Sequence, residues 1–238
     1  LKTIAKWARE INLNNPEKKI GIVIPNLNDL QHIVRSSFDL EFSSHLIETH
    51  QKPYNISLGV PLSNYPLIKN LFSITKLSSQ LINGLVEHEL LIQVITSPYI
   101  KGARSEQNNR ALLVNKILKI DSKKSQSKKV IELCSDSSLL KEIFISISTL
   151  EFANKLALED SLEAINSILL LCGFVSDRTL SSSEYQIFEK YQVESLILNK
   201  MSTFYKKSSL EDVIEILTAH MNAVIFQPQS GPANIYIL

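Results

Sequence analysis

The 238-residue sequence predicts an α-rich α/β fold: short strands near both ends form part of one sheet, interrupted by a mostly helical insertion domain. Three observations carry this reading. The runs Lys19-Ile20-Gly21-Ile22-Val23-Ile24 and Asn234-Ile235-Tyr236-Ile237-Leu238 lie near opposite ends of the chain, and short β-branched runs of this kind mark strands buried in a sheet. From Leu67 onward the apolar residues recur at helical spacing instead. Gly and Pro number only 6 and 8, too few for a turn-rich all-β chain.

Taken in order, residues 1 to 13 place Leu1, Ile4, Ala5, Ala8 and Ile11 on one face of a helix, which Asn14-Asn15-Pro16-Glu17 ends. Lys19 to Ile24 is the first strand, closed by Pro25-Asn26. A second helix runs from Leu27 to Phe42, and a second strand from Tyr54 to Leu58 before Gly59. Leu67, Leu71, Ile74, Leu77 and Leu81 line one face of a third helix. Leu85 to Ile95 reads as a further apolar helix, and Glu106 to Leu118 as the next. Lys119 to Lys129 is polar and of low complexity, and reads as a loop. In the second half Asp160-x-x-Glu163, Ser181-x-x-Glu184 and Ser208-x-x-Glu211 fit the capping box that marks a helix start. Gln227-Pro228-Gln229-Ser230-Gly231-Pro232 breaks the last helix and leads into the third strand. The expected division is residues 1–80 plus 224–238 as a partial α/β domain, with 81–223 as a helical accessory domain.

Twenty-five Lys and Arg against 24 Asp and Glu leave a net charge of +1. Binding nucleic acid by bulk positive charge is thereby excluded, and any such contact must be a local patch. Cys134 and Cys172 have no metal-type spacing and read as reduced, buried thiols, which points to a cytoplasmic protein. The longest apolar stretch, Ile168 to Val175, is far short of the roughly 20 residues a membrane span requires. The chain opens on Leu1 and closes inside an apolar run, so it is expected to be a fragment of something longer.

Catalytic motifs are missing. No phosphate-cradling P-loop, GxSxG, HExxH or GxGxxG occurs, so no catalytic, cofactor-binding or metal residue is assigned. His45 and His50 near Glu41 and Glu48, and the triplet Glu87-His88-Glu89, read as surface residues. Three places stand out. Tyr54 to Ile68 combines a strand, a glycine turn and a helix started by proline. Ser97-Pro98-Tyr99-Ile100-Lys101-Gly102-Ala103-Arg104 sets a glycine turn between two helices, where backbone amides next to Lys101 and Arg104 would suit a phosphate. The Lys119–Lys129 stretch adds Lys123, Lys124, Lys128 and Lys129. The candidate DNA-contacting residues are therefore Lys101, Gly102, Arg104, Lys123, Lys124, Lys128 and Lys129.

The order of these segments resembles superfamily 1 DNA helicases of the UvrD/RecB kind: a helix, an Ile/Val-rich strand running into Pro25-Asn26-Leu27, then Lys52-Pro53-Tyr54-Asn55-Ile56-Ser57-Leu58-Gly59, then a helical accessory domain. It is more closely similar to a bacterial group of probable DNA repair proteins related to AddB and RecB. The phrases that carry the likeness are Asn55 to Leu67, Ser97 to Ala103, Phe226 to Ser230, and Gly173-Phe174-x-x-Asp177-Arg178-x-Leu180-x-Ser182-x-Glu184-Tyr185-Gln186. The resemblance implies that residues 1–80 and 224–238 belong to a second motor-like domain, and that ATP- and magnesium-binding motifs and nuclease carboxylates lie outside this chain. It implies a non-catalytic segment of a DNA repair and recombination helicase–nuclease that contacts duplex DNA without reading its sequence, or positions a partner subunit, with no membrane contact. The alternative is a protein–protein interaction scaffold that never touches DNA.

Overall fold

Two small side chains, Ala5 and Ala8, let the first helix, α1 (Lys2–Asn14), lie against α2 (Leu27–Glu41), and both alanines are fully buried. The structure is a computed structural model that describes residues 1–45, 52–229 and 233–238. It divides into two compact units: Leu1–Val60 with Ile225–Leu238, and Pro61–Val224.

In the first unit, β1 (Ile20–Ile22), β2 (Tyr54–Ile56) and β5 (Ile235–Ile237) form one three-stranded sheet. The last strand in sequence is the middle one in space. It pairs in parallel with both neighbours, so Ile235 lies opposite Ile20 on one side and Tyr54 on the other. The strands near both ends of the sequence thus share a sheet, as the apolar runs predict. Alternation decides which side chains enter the core: Ile20, Ile22, Tyr54, Ile56, Ile235 and Ile237 point inward against Val34, Phe38 and Phe42. Asn26, left-handed at φ 58°, turns the chain from β1 into α2. Gly59 is required by a close approach, since a Cβ there would meet the Phe226 carbonyl oxygen at 2.8 Å. Glu41 pairs with Arg9 at 3.7 Å. His50 and Glu48 lie outside the described residues, as does Ser230.

The second unit is built around α3 (Pro66–Asn83), which begins with proline in its first turn and ends at Gly84 in the left-handed conformation. Leu67, Ile68, Leu71, Phe72, Ile74, Leu77 and Leu81 are all buried, the pattern of a helix surrounded by others. It packs against α4 (His88–Ile95), α7 (Ser138–Ser148), α8 (Leu158–Leu171), α9 (Ser182–Lys200) and α10 (Leu210–Ala223). The chain passes into this unit after Val60, earlier than the expected position after residue 80, because α3 buries its apolar faces here. The remaining helices are α5 (Gln107–Leu118) and α6 (Ser127–Leu133).

Several local expectations change. Residues 85–95 are not one helix: β3 (Leu85–Glu87) precedes α4. The Lys119–Lys129 stretch is not simply a loop: β4 (Lys124–Gln126) pairs antiparallel with β3, and α6 starts at Ser127. Here Ser125 turns inward beside Val86, and its Oγ lies 2.8 Å from His88 Nε2. His88 is therefore a buried residue, not part of a solvated patch. Of the three capping boxes only Ser181/Glu184 forms as read. The last helix is capped one residue later, by Ser209 and Asp212, and α8 begins without a side-chain cap. No described helix is long and apolar enough to cross a membrane.

Candidate functional site

Gly102, at φ +81°, makes the turn that follows α4, but no helix begins there, since α5 starts at Gln107. Its amide is already occupied. The Gly102 N–H donates to Asp177 Oδ2, and the Lys101 N–H donates to the Cys172 carbonyl at 3.0 Å. Gly102 is itself buried. The expectation of open amides for a phosphate is thus corrected: a carboxylate of the same unit takes the place the anion would need. What the turn does is cradle Arg110, whose Nη2 donates to the Lys101 carbonyl at 2.5 Å. Arg110 also pairs with Glu106, and Glu106 in turn accepts the Leu139 N–H at 2.7 Å and the Leu140 N–H at 3.2 Å. One carboxylate therefore neutralises a buried guanidinium and caps the first turn of α7. Burial pushes the Arg110 guanidinium down from its ordinary range, against the pull of Glu106.

The two phrases singled out in the sequence, 97–104 and 173–186, meet at this point. The Val175 N–H donates to the Tyr99 carbonyl at 2.8 Å. The Tyr99 hydroxyl donates to Glu184 Oε1 at 2.8 Å, and the Arg178 guanidinium lies over the Tyr99 ring, 4.8 Å from its centroid, while bonding the same Glu184 oxygen. Glu184 closes the capping box with Ser181. Burial pushes the Tyr99 phenol up to about 12, aided by the Glu184 carboxylate. The chemistry of these motif residues is spent on holding helices together.

Lys101 and Arg104 are exposed on this turn, and Lys123, Lys128 and Lys129 are exposed around β4 and the start of α6. Lys124 is held by Glu87, 2.8 Å from Oε1. The candidate cations are thus carried by two separate sequence segments.

Two concavities lie in the second unit. One, of about 530 Å³, is polar, with Lys76, Gln80, Asn83, Glu87 and Glu211 in its wall. These groups engage one another: Gln80 accepts the Glu87 N–H at 2.9 Å, Asn83 donates to Glu211 at 3.1 Å, and Lys124 pairs with Glu87. The other is a groove of about 680 Å³ between α8 and α9, with Leu162, Leu169, Leu170, Phe174, Phe188 and Leu196 in its wall. Leu170 and Leu196 are 81% and 62% exposed. No reading of single motifs points to this groove. The signals that would have found it are the length of the apolar run from Ile168 to Val175 and the apolar residues on two sides of α9. Among the described residues no group of His, Cys, Asp and Glu is arranged to hold a metal ion.

Compared with models of protein families, with curated proteins and with solved structures, the chain finds no match.

Proposed function

We propose that this chain is a non-catalytic interaction module that positions a partner protein through the apolar surface shared by α8 and α9. On the resemblance of its sequence, it does so as part of a DNA repair helicase–nuclease. One observation carries the reading. Helix α9 buries Ile187, Tyr191 and Leu198 on one side and exposes Val193, Leu196 and Ile197 on another. A helix that is apolar on two sides is normally covered on both, and contiguous exposed apolar surface marks an interaction site.

The second reading, contact with duplex DNA, is favoured by the exposure of Lys101, Arg104, Lys123, Lys128 and Lys129. Its support is weaker because the Gly102 amide is occupied and Lys124 is paired with Glu87. A gel-shift titration with duplex DNA at low and moderate salt separates the two. The module reading expects Lys101→Ala/Arg104→Ala to leave retention and its salt slope unchanged. Weaker binding with a shallower slope in that variant is the phosphate-contact signature and would overturn it in favour of DNA.

A further inference from the structure

We infer that the groove between α8 and α9 receives an amphipathic helix of a partner protein, one whose apolar face ends in a Lys or Arg that meets Glu159 and Glu163. This rests on the reading of the chain as an interaction module and names the chemistry of the partner.

The shape comes first. Leu162, Leu169 and Leu170 of α8 face Phe188 and Leu196 of α9 across the opening, and the Phe174 and Phe188 rings close on each other at 6.0 Å between centroids. The wall of the groove runs from Glu159 to Leu170 along α8 and from Phe188 to Asn199 along α9, so it is an elongated stripe and not a closed pocket for a small molecule. Helices that bind helices present such stripes, read by side chains at i, i+3, i+4 and i+7 of the incoming segment.

Charge selects the partner. Glu159 and Glu163 stand one turn apart on α8, both exposed and both in the wall of the groove, and none of its described wall residues is basic. Two carboxylates repel a phosphate backbone, an anionic membrane or a fatty acid, and attract a cation. An apolar helix with a basic end supplies both requirements: apolar side chains for the floor and a cation for the carboxylates.

Two designed peptides test this, each with leucines at i, i+3, i+4 and i+7, one with two Lys and the other with two Glu in its terminal turn. They are titrated onto the full 238-residue chain by fluorescence anisotropy. The Lys peptide is expected to bind more tightly, by roughly three- to tenfold, with the gap shrinking as salt is added. Glu159→Lys/Glu163→Lys should reverse the preference, and Leu196→Asp should weaken both peptides by about tenfold or more. All three positions are exposed, and circular dichroism of each variant checks that the fold is kept. Equal binding of the two peptides, or a preference that survives the double reversal, overturns the basic-ended helix while leaving an interaction module. Sedimentation showing a dimer that Leu196→Asp converts to a monomer assigns the groove to a second copy and also overturns it. If neither peptide binds and the chain is monomeric, the partner and the module reading fall together.

Discussion

Glu106 and Arg110 form an ion pair one helical turn apart in the interior of the second unit, with Oε2 and Nη2 3.2 Å apart and side chains 8% and 3% exposed. The same carboxylate accepts two amides of α7, so its loss strands three donors at once. Glu106→Ala is expected to destabilise the protein by about 3–5 kcal/mol, the cost of leaving a buried charge without its partner. Chemical denaturation measures it. Glu106→Ala/Arg110→Met should cost less than Glu106→Ala alone, because the second change removes the uncompensated charge. A double variant worse than the single one would show that the guanidinium charge is not the source of the loss.

Gly102→Ala tests whether the turn exists for the backbone or for an anion. The residue sits at φ +81°, and an added Cβ would lie 2.8 Å from Arg110 Nη2 and 3.2 Å from Glu106 Oε2. The left-handed conformation alone costs an L-residue roughly 1–2 kcal/mol, and the displaced pair adds to it. Thermal unfolding should show a total loss of about 2 kcal/mol or more. A variant as stable as the wild type would mean that the cradle for Arg110 is slack.

Glu184 gives the acid limb of stability. Burial pushes its carboxyl up, but the Ser181 N–H, the Tyr99 and Ser181 hydroxyls and the Arg178 guanidinium outweigh burial and hold it below its ordinary value of 4.5. A carboxyl lowered on folding contributes stability that is present above the unfolded value and is lost as pH falls through the folded one. Unfolding free energy should therefore decline below about pH 4.5. Glu184→Gln should start lower and fall less steeply over the same range. Parallel curves for the two proteins would remove Glu184 from the acid limb.

Cys134 and Cys172 give the alkaline limb. Burial pushes both thiols from the ordinary 9.0 up to about 12. Their contribution is present in full below about pH 9 and is lost as pH rises from there toward 12. The native thiols should resist a thiol-reactive disulfide reagent near pH 8 and react on addition of denaturant. Rapid native-state labelling of both would contradict their burial.

What the sequence made legible was local or periodic. The strands Ile20–Ile22 and Ile235–Ile237 are β-branched runs, α3 is a leucine stripe, and Ser181/Glu184 is a cap complete within four residues. What it hid depended on distant partners or on one-residue register. Strand β4 looks like a loop because only Ser125 faces inward, and its reason to be a strand is its pairing with β3 and His88, some forty residues away. Ser208-x-x-Glu211 and Ser209-x-x-Asp212 both fit a capping box, and only the packing of α10 chooses the second, leaving Glu211 to accept from Ser79 and Asn83. The Gly102 turn has the composition of a phosphate loop, yet the residue that fills its amide, Asp177, lies 75 positions on. The groove between α8 and α9 is lined by both helices together; the apolar run Ile168–Val175 and the two-sided apolar pattern of α9 signal surplus apolar surface, but neither pattern says which helix lies opposite.

Strand β5 carries a test of how far the two units unfold independently. It is the middle strand of its sheet: β1 and β2 each pair with it, and Ile235 and Ile237 are fully buried. Ile237→Ala removes a core side chain that touches the register of both neighbours, a change expected to cost about 2–5 kcal/mol. The single tryptophan, Trp7, lies on α1 in the same unit, so its fluorescence reports that unit alone. Far-ultraviolet ellipticity is dominated by the helices of Pro61–Val224. In urea, Ile237→Ala should move the Trp7 midpoint well below that of the wild type and leave the ellipticity midpoint nearly in place, since two probes that part company mark a transition that is not two-state. Leu217→Ala, in α10 of the other unit and fully buried, should do the reverse. Equal shifts of both probes in both variants would show that the chain unfolds as a single cooperative unit.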